Sequence, residues 1–307
     1  MSPRTFLLTG GTGQTAGALA QHLLSRTDAH LILTSRKGAE GIPPAFASSS
    51  HSERVQAVQF DWDDPSSYAT PFDLPEKKID VVYLVPHHSS QSLERTKAFI
   101  DRAVEHGVSR IIMLSASATP IDGPGPGKLH RLLEDARESG KLKEYGVLRP
   151  SWFFTNFANQ YAPEIRDANQ IISAAGDGKY GWVSVEDIAE AAFCAIVDPS
   201  EELYGEYLIT GPELLNLDEV AVLLSEALSR QITHVRLSEA ESLERWTKMG
   251  VSPQHAQTMT QLDIAISNGL EERVFELKDE EPRKLKRWVG KKKMKDFVQA
   301  NKSTWLK

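Results

Sequence analysis

The chain has 307 residues, of which 40% are hydrophobic and 25% are charged, and its formal net charge is −7 at pH 7. This length and composition exclude a largely disordered protein and predict a folded one with a sizeable core. The acidic balance gives no general attraction for phosphate backbones, so we expect a small-molecule partner and neither a nucleic acid nor a membrane. A single cysteine, with no apolar stretch of membrane-spanning length, predicts a cytoplasmic location.

Short apolar runs alternate with amphipathic segments along the first half of the chain. Apolar residues recur every three or four positions at 14–26, 92–106 and 127–140, which predicts three helices. The stretch 38–54 is rich in Gly, Pro and Ser and is typical of a surface loop. The alternation predicts an α/β fold, a Rossmann-type doubly wound parallel sheet. Its six predicted strands lie at 5–10, 30–36, 55–62, 80–86, 110–116 and 145–150.

The rhythm changes after Pro150, and residues 151–307 are predicted to form a smaller, helix-rich C-terminal lobe with some segments returning to the sheet. Asp187, near the start of a predicted helix, is assigned to structure. The basic stretch 283–295 is predicted to be the solvated face of a C-terminal helix. The other predicted elements after Pro150 are helices at 183–197 and 217–229 and strands at 205–211 and 232–237.

The stretch "TGGTGQTA" joins the first strand to the first helix and has the pattern G-x-x-G-x-x-A. Gly10 permits a tight turn, and Gly13 lets the backbone approach a pyrophosphate. Ala16 provides the small side chain that is needed where the helix meets the strand. Gln14 and Thr15 open a helix whose free N–H groups favour phosphate. In this context, the glycines predict a bound dinucleotide.

The end of the second strand distinguishes between the two nicotinamide cofactors. Ser35, Arg36 and Lys37 stand where an Arg would pair with a ribose 2′-phosphate, so NADP(H) is favoured over NAD. The alternative is that Arg36 and Lys37 are only surface cations. Residues 1–150 are therefore predicted to be the NADP-binding domain. Further cofactor contacts are predicted at the ends of the third and fourth strands, at Asp61, Trp62 and Pro86.

Ordinary short-chain dehydrogenases carry a Tyr and a Lys four residues apart on one helix face, where the ammonium group lowers the pKa of the phenol. None of the seven tyrosines here is followed by Lys at the fourth position. Tyr145 with Arg149 comes nearest, on a predicted strand. The sequence therefore predicts a bound dinucleotide without the usual proton donor.

Six segments occur in the order found in one family: "LLTGGTGQTA", "VQFDW", "VVYLVP", "IIMLSAS", "LRPSWFFTNF" and "WVSVEDIAEAAFCAI". Over residues 5–237 the chain resembles NmrA-like atypical short-chain dehydrogenase/reductase proteins, above all the fungal ergot-alkaloid branch of agroclavine and festuclavine dehydrogenases. The resemblance implies a Rossmann domain that holds NADP(H) and reduces an iminium formed from a secondary amine and an aldehyde. Because hydride transfer to a cationic C=N bond neutralises it, that step needs no proton donor.

The resemblance leaves two alternatives open. Some NmrA-like proteins bind NADP(H) without turning it over and act as redox-linked regulators. In the other alternative, a carbon nucleophile such as an indole traps the iminium in a Pictet–Spengler cyclisation, and the dinucleotide is only a structural ligand. The cyclisation requires a base to take up a proton.

Three residues are predicted to be catalytic: Lys128, Ser115 and His87. Lys128 opens the helix after the fifth strand, where related proteins place a Lys, although a solvated cation fits equally well. Ser115 and Ser117 end the fifth strand, at the usual catalytic edge. His87, followed by His88, ends the fourth strand and is a candidate proton carrier. No third ligand at metal spacing accompanies these histidines, so no metal site is expected.

The segment "SWFFTNF" is predicted to line a substrate pocket in the C-terminal lobe. The rings of Trp152, Phe153, Phe154 and Phe157 would wall a flat, cationic or indolic substrate, with a cation–π contribution of about 1 kcal/mol each. The alternative is that half of these rings belong to the core of the lobe. Asn156 either caps a turn or reaches the substrate.

Overall fold

The structure is a computed structural model that divides into two compact units. The first unit comprises Met1–Pro150, Ile188–Leu208 and Asp279–Lys286. The second unit comprises Ser151–Asp187, Ile209–Lys278 and Arg287–Lys307. The structure describes residues 3–41, 43–47, 52–74, 78–87, 92–123, 126–197, 202–279 and 285–306.

Ten strands and twelve α-helices lie within the residues that the structure describes. The strands are β1 (Thr5–Leu8), β2 (His30–Ser35), β3 (Val55–Gln59), β4 (Val81–Leu84), β5 (Arg110–Leu114), β6 (Glu144–Pro150), β7 (Gln170–Ser173), β8 (Tyr204–Thr210), β9 (Thr233–Arg236) and β10 (Leu285–Val289). The helices are α1 (Gln14–Arg26), α2 (Pro44–Ala47), α3 (Ser92–Glu105), α4 (Gly127–Glu138), α5 (Asn156–Asn159), α6 (Ala162–Ala168), α7 (Val185–Val197), α8 (Leu217–Leu228), α9 (Glu239–Lys248), α10 (Pro253–Ser267), α11 (Leu270–Phe275) and α12 (Met294–Ala300).

Eight strands form one sheet in the order β10-β8-β6-β5-β4-β1-β2-β3. The strands from β1 to β6 pair in parallel, with Leu7 opposite Ile32 and Val82 opposite Ile111. Every residue of β1 and β4 is buried, as expected for strands with both faces covered. The predicted Rossmann-type α/β fold, its six strands and the helices α1, α3 and α4 are confirmed.

The three longer helices predicted for the first half of the chain each bury one apolar face. The side chains spaced three or four residues apart on that face are excluded from water. Examples are Leu19 and Leu23 in α1, Phe99 and Ala103 in α3, and Leu129 and Leu133 in α4.

The predicted surface loop 38–54 is only partly irregular. Short helical turns occupy Gly38–Gly41, Pro44–Ala47 and Ser52–Arg54. The Arg54 guanidinium donates to the carbonyl oxygens of Leu24, Thr27 and Ala29, which fixes the last turn against the end of α1. This anchor lies far away in sequence, so the composition of the segment did not reveal it. Residues 42 and 48–51 lie outside the described residues.

The prediction of a C-terminal helix face at 283–295 is wrong for most of that stretch. Leu285–Val289 is β10, a strand at one end of the large sheet, and α12 begins only at Met294. Two of the basic side chains lie over rings: the Lys286 ammonium is 5.7 Å from the Tyr207 ring centre, and the Arg287 guanidinium is 4.8 Å from the Phe275 ring centre. Long cationic side chains can pack their aliphatic stems on an apolar surface. A strand can therefore be rich in Lys and Arg and look, in sequence, like a solvated segment. Residues 283 and 284 lie outside the described residues.

The second unit contains a two-stranded parallel sheet, β7 with β9, and a hydrophobic core of its own. Trp305 is fully buried in this core, and its Nε1 donates to the carbonyl oxygen of Phe157 at 2.8 Å. Asp187 accepts backbone N–H groups of Lys291 and Lys292, each at 3.0 Å, so its role here is structural as expected. Among the described residues, no helix is long and apolar enough to cross a bilayer.

We expect Trp305→Ala to lower the free energy of unfolding by about 3–5 kcal/mol, because it opens a cavity and leaves the Phe157 carbonyl without its donor. Urea denaturation followed by circular dichroism measures the change. Leu306→Ala is the matched control, since Leu306 is 51% exposed. Equal midpoints for the two variants would contradict this role for Trp305.

A buried carboxyl group in the second unit makes stability depend on pH. Asp263 is 5% exposed and accepts the Ala174 N–H at 3.0 Å. Burial raises the pKa of Asp263 to about 6, although the Ala174 N–H and the charge of Arg245 oppose the shift. The folded state therefore holds a proton that the unfolded state releases near pH 4, so stability falls as the pH rises between these two values.

We expect the wild-type free energy of unfolding to fall by about 3 kcal/mol from this group as the pH rises from about 4 to about 6. Asp263→Asn keeps an oxygen acceptor for Ala174 but carries no charge, so this part of the pH dependence should disappear. Denaturation at a series of pH values measures it. Asp177→Asn, at an exposed carboxylate, is the control and should retain the wild-type slope.

Candidate functional site

The glycine loop makes a tight turn where β1 ends. Gly10 has φ +61°, in the left-handed region that favours glycine, and its N–H donates to Thr34 Oγ1 at 3.1 Å. The Gly13 N–H closes the turn by donating to the Gly10 carbonyl oxygen at 2.7 Å. Thr9 Oγ1 accepts the Val85 N–H at 2.7 Å. These bonds tie the loop to the carboxyl ends of β2 and β4.

Gly11 has a role that the sequence motif did not reveal. A Cβ atom at this position would lie 2.8 Å from Leu33 Cβ and 3.0 Å from Leu33 Cα. The Gly11 N–H donates to the Thr34 carbonyl oxygen at 3.2 Å. Gly11 therefore lets the loop pack directly on β2, a contact that depends on the strand's position in the fold.

The N-terminus of α1 leaves backbone N–H groups available for an anion. Its N-cap, Gly13, makes no side-chain capping bond, and the first turn has no acidic residue. In α8, by contrast, Asn216 and Glu219 form a capping box. Gln14 is exposed, whereas Thr15 is buried. A helix start that is open in this way, next to a glycine turn, fits the pyrophosphate of a dinucleotide.

A cavity of about 250 Å³ lies at the carboxyl edge of β1 to β4. It brings together five of the predicted cofactor residues. They are Gly10, Ser35, Asp61, Trp62 and Arg36, the cation that was expected to select NADP(H). The full lining is Gly10, Thr12, Thr34, Ser35, Arg36, Phe60, Asp61, Trp62, Asp63 and His87.

Five other predicted cofactor residues do not line this cavity: Gly13, Gln14 and Thr15 at the start of α1, and Lys37 and Pro86. Lys37 is exposed and donates its N–H to Ser35 Oγ at 3.1 Å, while Pro86 is buried beyond β4. The backbone bond from Lys37 holds the Ser35 hydroxyl at the cavity rim. Their contact with a cofactor stays a prediction.

Trp62 belongs both to the cavity and to the core of the first unit. Its ring packs edge-on against Phe60 at 4.8 Å and against Phe99 at 5.5 Å between ring centres. Its carbonyl oxygen accepts the Tyr68 hydroxyl at 2.8 Å. Trp62 therefore lines the cavity and also packs in the core, which fixes one wall of the cavity. Its contact with a cofactor stays a prediction.

Asp63 lies among several charged groups of the cavity. Arg95 donates to Asp63, and this hydrogen bond lowers the pKa of the carboxyl group, with smaller contributions from the charges of His87 and Arg36. His87 Nε2 lies 3.7 Å from Asp63 Oδ1. His87 therefore lies beside the residues expected at the ribose-phosphate end, and its role as a catalytic proton carrier stays a prediction. His88 lies outside the described residues.

Ser115 belongs to a buried chain of hydrogen bonds in the first unit. Its Oγ lies 2.7 Å from His130 Nε2, and His130 Nδ1 lies 2.8 Å from Glu206 Oε1. Glu206 Oε2 accepts from Arg149 Nη1 at 2.7 Å, and Arg149 also donates to the Ser117 carbonyl oxygen. We call Ser115, His130, Glu206 and Arg149 the buried relay. The sequence predicted only Ser115 from this set.

Two signals for the buried relay were present in the sequence. His130 lies on the apolar face of α4 between Leu129 and Leu133, where a polar residue needs a partner. The predicted strand at 205–211 also carries Glu206 among apolar residues. Neither signal identifies His130 and Glu206 as partners, because these residues lie 76 positions apart in the sequence.

Lys128 is exposed in the first turn of α4, whereas His130 is fully buried two residues later. The two side chains therefore point to different faces of the helix. The catalytic role of Lys128 stays a prediction.

The aromatic segment of the second unit is divided between core and surface. Phe154 and Phe157 are 2% and 0% exposed, and Phe157 packs on Trp182 at 4.8 Å between ring centres. These two rings belong to the core of the unit, which is the alternative that the sequence left open for half of the rings. Their contact with a substrate stays a prediction. Trp152, Phe153 and Asn156 are half-buried, and their contact with substrate stays a prediction.

Residues 10–199 match the family model described as NAD(P)H-binding. The chain belongs to this NAD(P)H-binding family. Agroclavine dehydrogenase of Claviceps purpurea is 34% identical, with 98% of each chain covered. Festuclavine dehydrogenase of Aspergillus fumigatus is 31% identical, with 99% of each chain covered. The resemblance expected from the sequence motifs is confirmed, and family membership confirms a nicotinamide dinucleotide as the ligand.

Solved structures have the same fold. The triphenylmethane reductase of a Citrobacter species, solved as a complex with NADP(H), superimposes with a TM-score of 0.74. It shares 21% sequence identity, and the match covers 96% of this chain and 99% of the reductase. At this identity the likeness concerns the fold, and it agrees with the NAD(P)H-binding family.

We expect Arg36→Asp to weaken NADPH binding about tenfold to a hundredfold and to change NADH binding much less, because a charge-assisted bond to the 2′-phosphate is lost. Fluorescence titration with both nucleotides measures the two affinities. Lys141→Asp, at an exposed cation elsewhere in the first unit, is the control. An unchanged preference for NADPH would refute the role of Arg36.

Proposed function

We propose that the chain is an NADP(H)-dependent reductase of an iminium, or of a similarly conjugated small molecule, in alkaloid biosynthesis. Relatives named agroclavine and festuclavine dehydrogenase match almost the whole chain. The observation that carries the proposal is the cavity in which Arg36 and Ser35 lie beside the glycine loop, at the position of a 2′-phosphate.

The residues of the first unit fit the cofactor in both shape and charge. Gly10 and Gly13 leave room for a pyrophosphate, the start of α1 supplies free N–H groups, and Arg36 supplies a positive charge. When bound, NADPH supplies a hydride. The chain then has to hold the acceptor at the carboxyl edge of the sheet and exclude water from it.

The missing Tyr–Lys pair agrees with an iminium as the hydride acceptor. Reduction of a ketone produces an alkoxide, which requires a proton from the enzyme. Reduction of an iminium produces a neutral amine directly, so a site without the phenol remains competent. This chemistry accounts for a chain that keeps the dinucleotide loop but lacks the usual proton donor.

A Pictet–Spengler cyclase is the second candidate, and the buried relay is the observation that favours it. His130 lies within hydrogen-bond distance of Ser115 and could accept the proton that an indole releases on cyclisation. The names of the relatives favour the reductase. The third alternative, a redox-linked regulator, has no comparable support in the geometry.

We expect the purified chain to oxidise NADPH when it is given N-methyldihydro-β-carbolinium, a preformed cyclic iminium. Absorbance of NADPH and mass spectrometry of the tertiary amine product measure the reaction. NADH in place of NADPH should react more slowly because it lacks the phosphate that Arg36 would bind.

A second substrate pair separates the two enzyme candidates. N-methyltryptamine with acetaldehyde gives an acyclic iminium, which a reductase converts to N-ethyl-N-methyltryptamine with loss of NADPH. A cyclase converts the same iminium to a tetrahydro-β-carboline while the NADPH absorbance stays constant. Formation of the carboline alone would refute the reductase proposal.

A further inference from the structure

The buried relay has the geometry of a proton-transfer chain. The His130 side chain is 0% exposed, and Glu206 and Arg149 are 14% and 5% exposed. A hydroxyl group on one ring nitrogen and a carboxylate on the other is the arrangement that orients an imidazole for proton exchange. Burying these polar groups costs free energy that apolar side chains at the same positions would not cost. Their presence therefore indicates a role beyond packing.

The charges within the buried relay define which ring nitrogen of His130 carries a proton. Burial opposes ionisation of Glu206, but the hydrogen bond from His130 and the charge of Arg149 outweigh it, so the pKa of Glu206 is lowered. An ionised Glu206 only accepts hydrogen bonds, so His130 Nδ1 carries a proton. His130 Nε2 is then the atom that exchanges a proton with the Ser115 hydroxyl.

Ser115 lies at the reactive edge of the sheet. It follows directly after β5, which pairs with β4, and the segment after β4 contributes His87 to the cofactor cavity. Because these strands are parallel, their carboxyl ends lie along the same edge. Ser115 is partly exposed, whereas His130 is buried behind it. The exposed end of the buried relay is therefore a hydroxyl group.

We propose that Ser115 donates a proton to the hydroxyl group that leaves a carbinolamine, so that this chain forms the iminium as well as reducing it. The inference rests on the proposed function, because an iminium has to be made from an amine and a carbonyl compound. In this proposal Ser115 is the catalytic residue, because its hydroxyl group is the group that would contact the substrate. His130, Glu206 and Arg149 act through Ser115 and are positioning residues.

The proton balance of the step is simple. The nitrogen lone pair of the carbinolamine forms the C=N bond while the C–O bond breaks, and the leaving oxygen takes the Ser115 proton to become water. Ser115 recovers its proton from the Nε2 of protonated His130, which becomes neutral. His130 regains one proton from solvent in each turnover, and no electrons are exchanged.

The protonation state of His130 sets the direction of transfer. When His130 is neutral, the Ser115 hydroxyl donates to Nε2, so its proton faces away from a substrate. When His130 is protonated, Nε2–H donates to Ser115 Oγ, and the hydroxyl proton is free to leave. The charged groups around His130 are Glu206 on β8, Arg149 on β6 and Asp122 ahead of α4. Loss of the imidazole should therefore slow iminium formation.

The test measures iminium formation without relying on hydride transfer from the cofactor. The full chain is saturated with NADP⁺ and mixed with N-methyltryptamine and acetaldehyde, and cyanoborohydride traps the iminium as N-ethyl-N-methyltryptamine. We expect wild type to exceed the uncatalysed rate, and Ser115→Ala and His130→Gln to lose about a hundredfold or more of that acceleration. Ser115→Thr keeps the hydroxyl and should retain most of it.

The split between kcat and KM separates proton supply from a purely structural role. In His130→Gln, which keeps hydrogen-bonding atoms but cannot supply a proton, kcat for trapping should fall while KM for the amine stays close to wild type. His255→Gln, at an exposed histidine of α10, is the control and should match wild type in both kcat and KM.

Two results would overturn the relay: a wild-type rate equal to the uncatalysed one, or full acceleration in Ser115→Ala. Failure of the proposed function would be seen separately, as the absence of NADPH oxidation by wild type on preformed N-methyldihydro-β-carbolinium.

Discussion

The parallel pairing of β1 to β6 is the constraint on which the rest of the first unit depends. Parallel strands end at one edge, so segments far apart in the chain deliver their next residues to the same place. The glycine turn follows β1, the 2′-phosphate candidates follow β2, and Ser115 follows β5. Every β–α crossover then has to return the chain to the opposite edge, and α1, α3 and α4 do this with one apolar face each.

Burial of charge is the second theme of the first unit. An isolated guanidinium or carboxylate inside a protein costs several kcal/mol, whereas a paired one with its remaining hydrogen bonds satisfied is tolerated. Arg149 is paired with Glu206 and also bonds the Ser117 carbonyl, so one cation holds a carboxylate and the backbone beyond β5 together. Such a network fixes positions more than it adds stability, which suits a site that must hold a hydroxyl group in place.

Short-range sequence patterns predicted those strands, helices and turns whose structure depends on neighbouring residues. The strands β1 to β6, the helices between them and the glycine turn all follow from periodicity and glycine chemistry within short windows. The charge pattern at β10 led to the wrong prediction of a helix. The sequence of a strand whose cations pack over rings resembles that of a solvated helix face. The relay partners of Ser115 could not be predicted, since His130, Arg149 and Glu206 meet only through the pairing of the sheet. Burial of Phe154 and Phe157 likewise depends on rings elsewhere in the second unit.

The position of β10 in the sheet has a consequence for biosynthesis. β8 leaves the ribosome long before Leu285–Val289 is translated, yet β10 is its neighbour in the finished sheet. Until β10 arrives, one edge of β8 offers unpaired amide and carbonyl groups to any other nascent chain. The unpaired edge is therefore a risk of aggregation during that interval. A fragment that stops before residue 285 would keep the unpaired edge of β8 permanently, even if its cofactor-binding residues folded correctly.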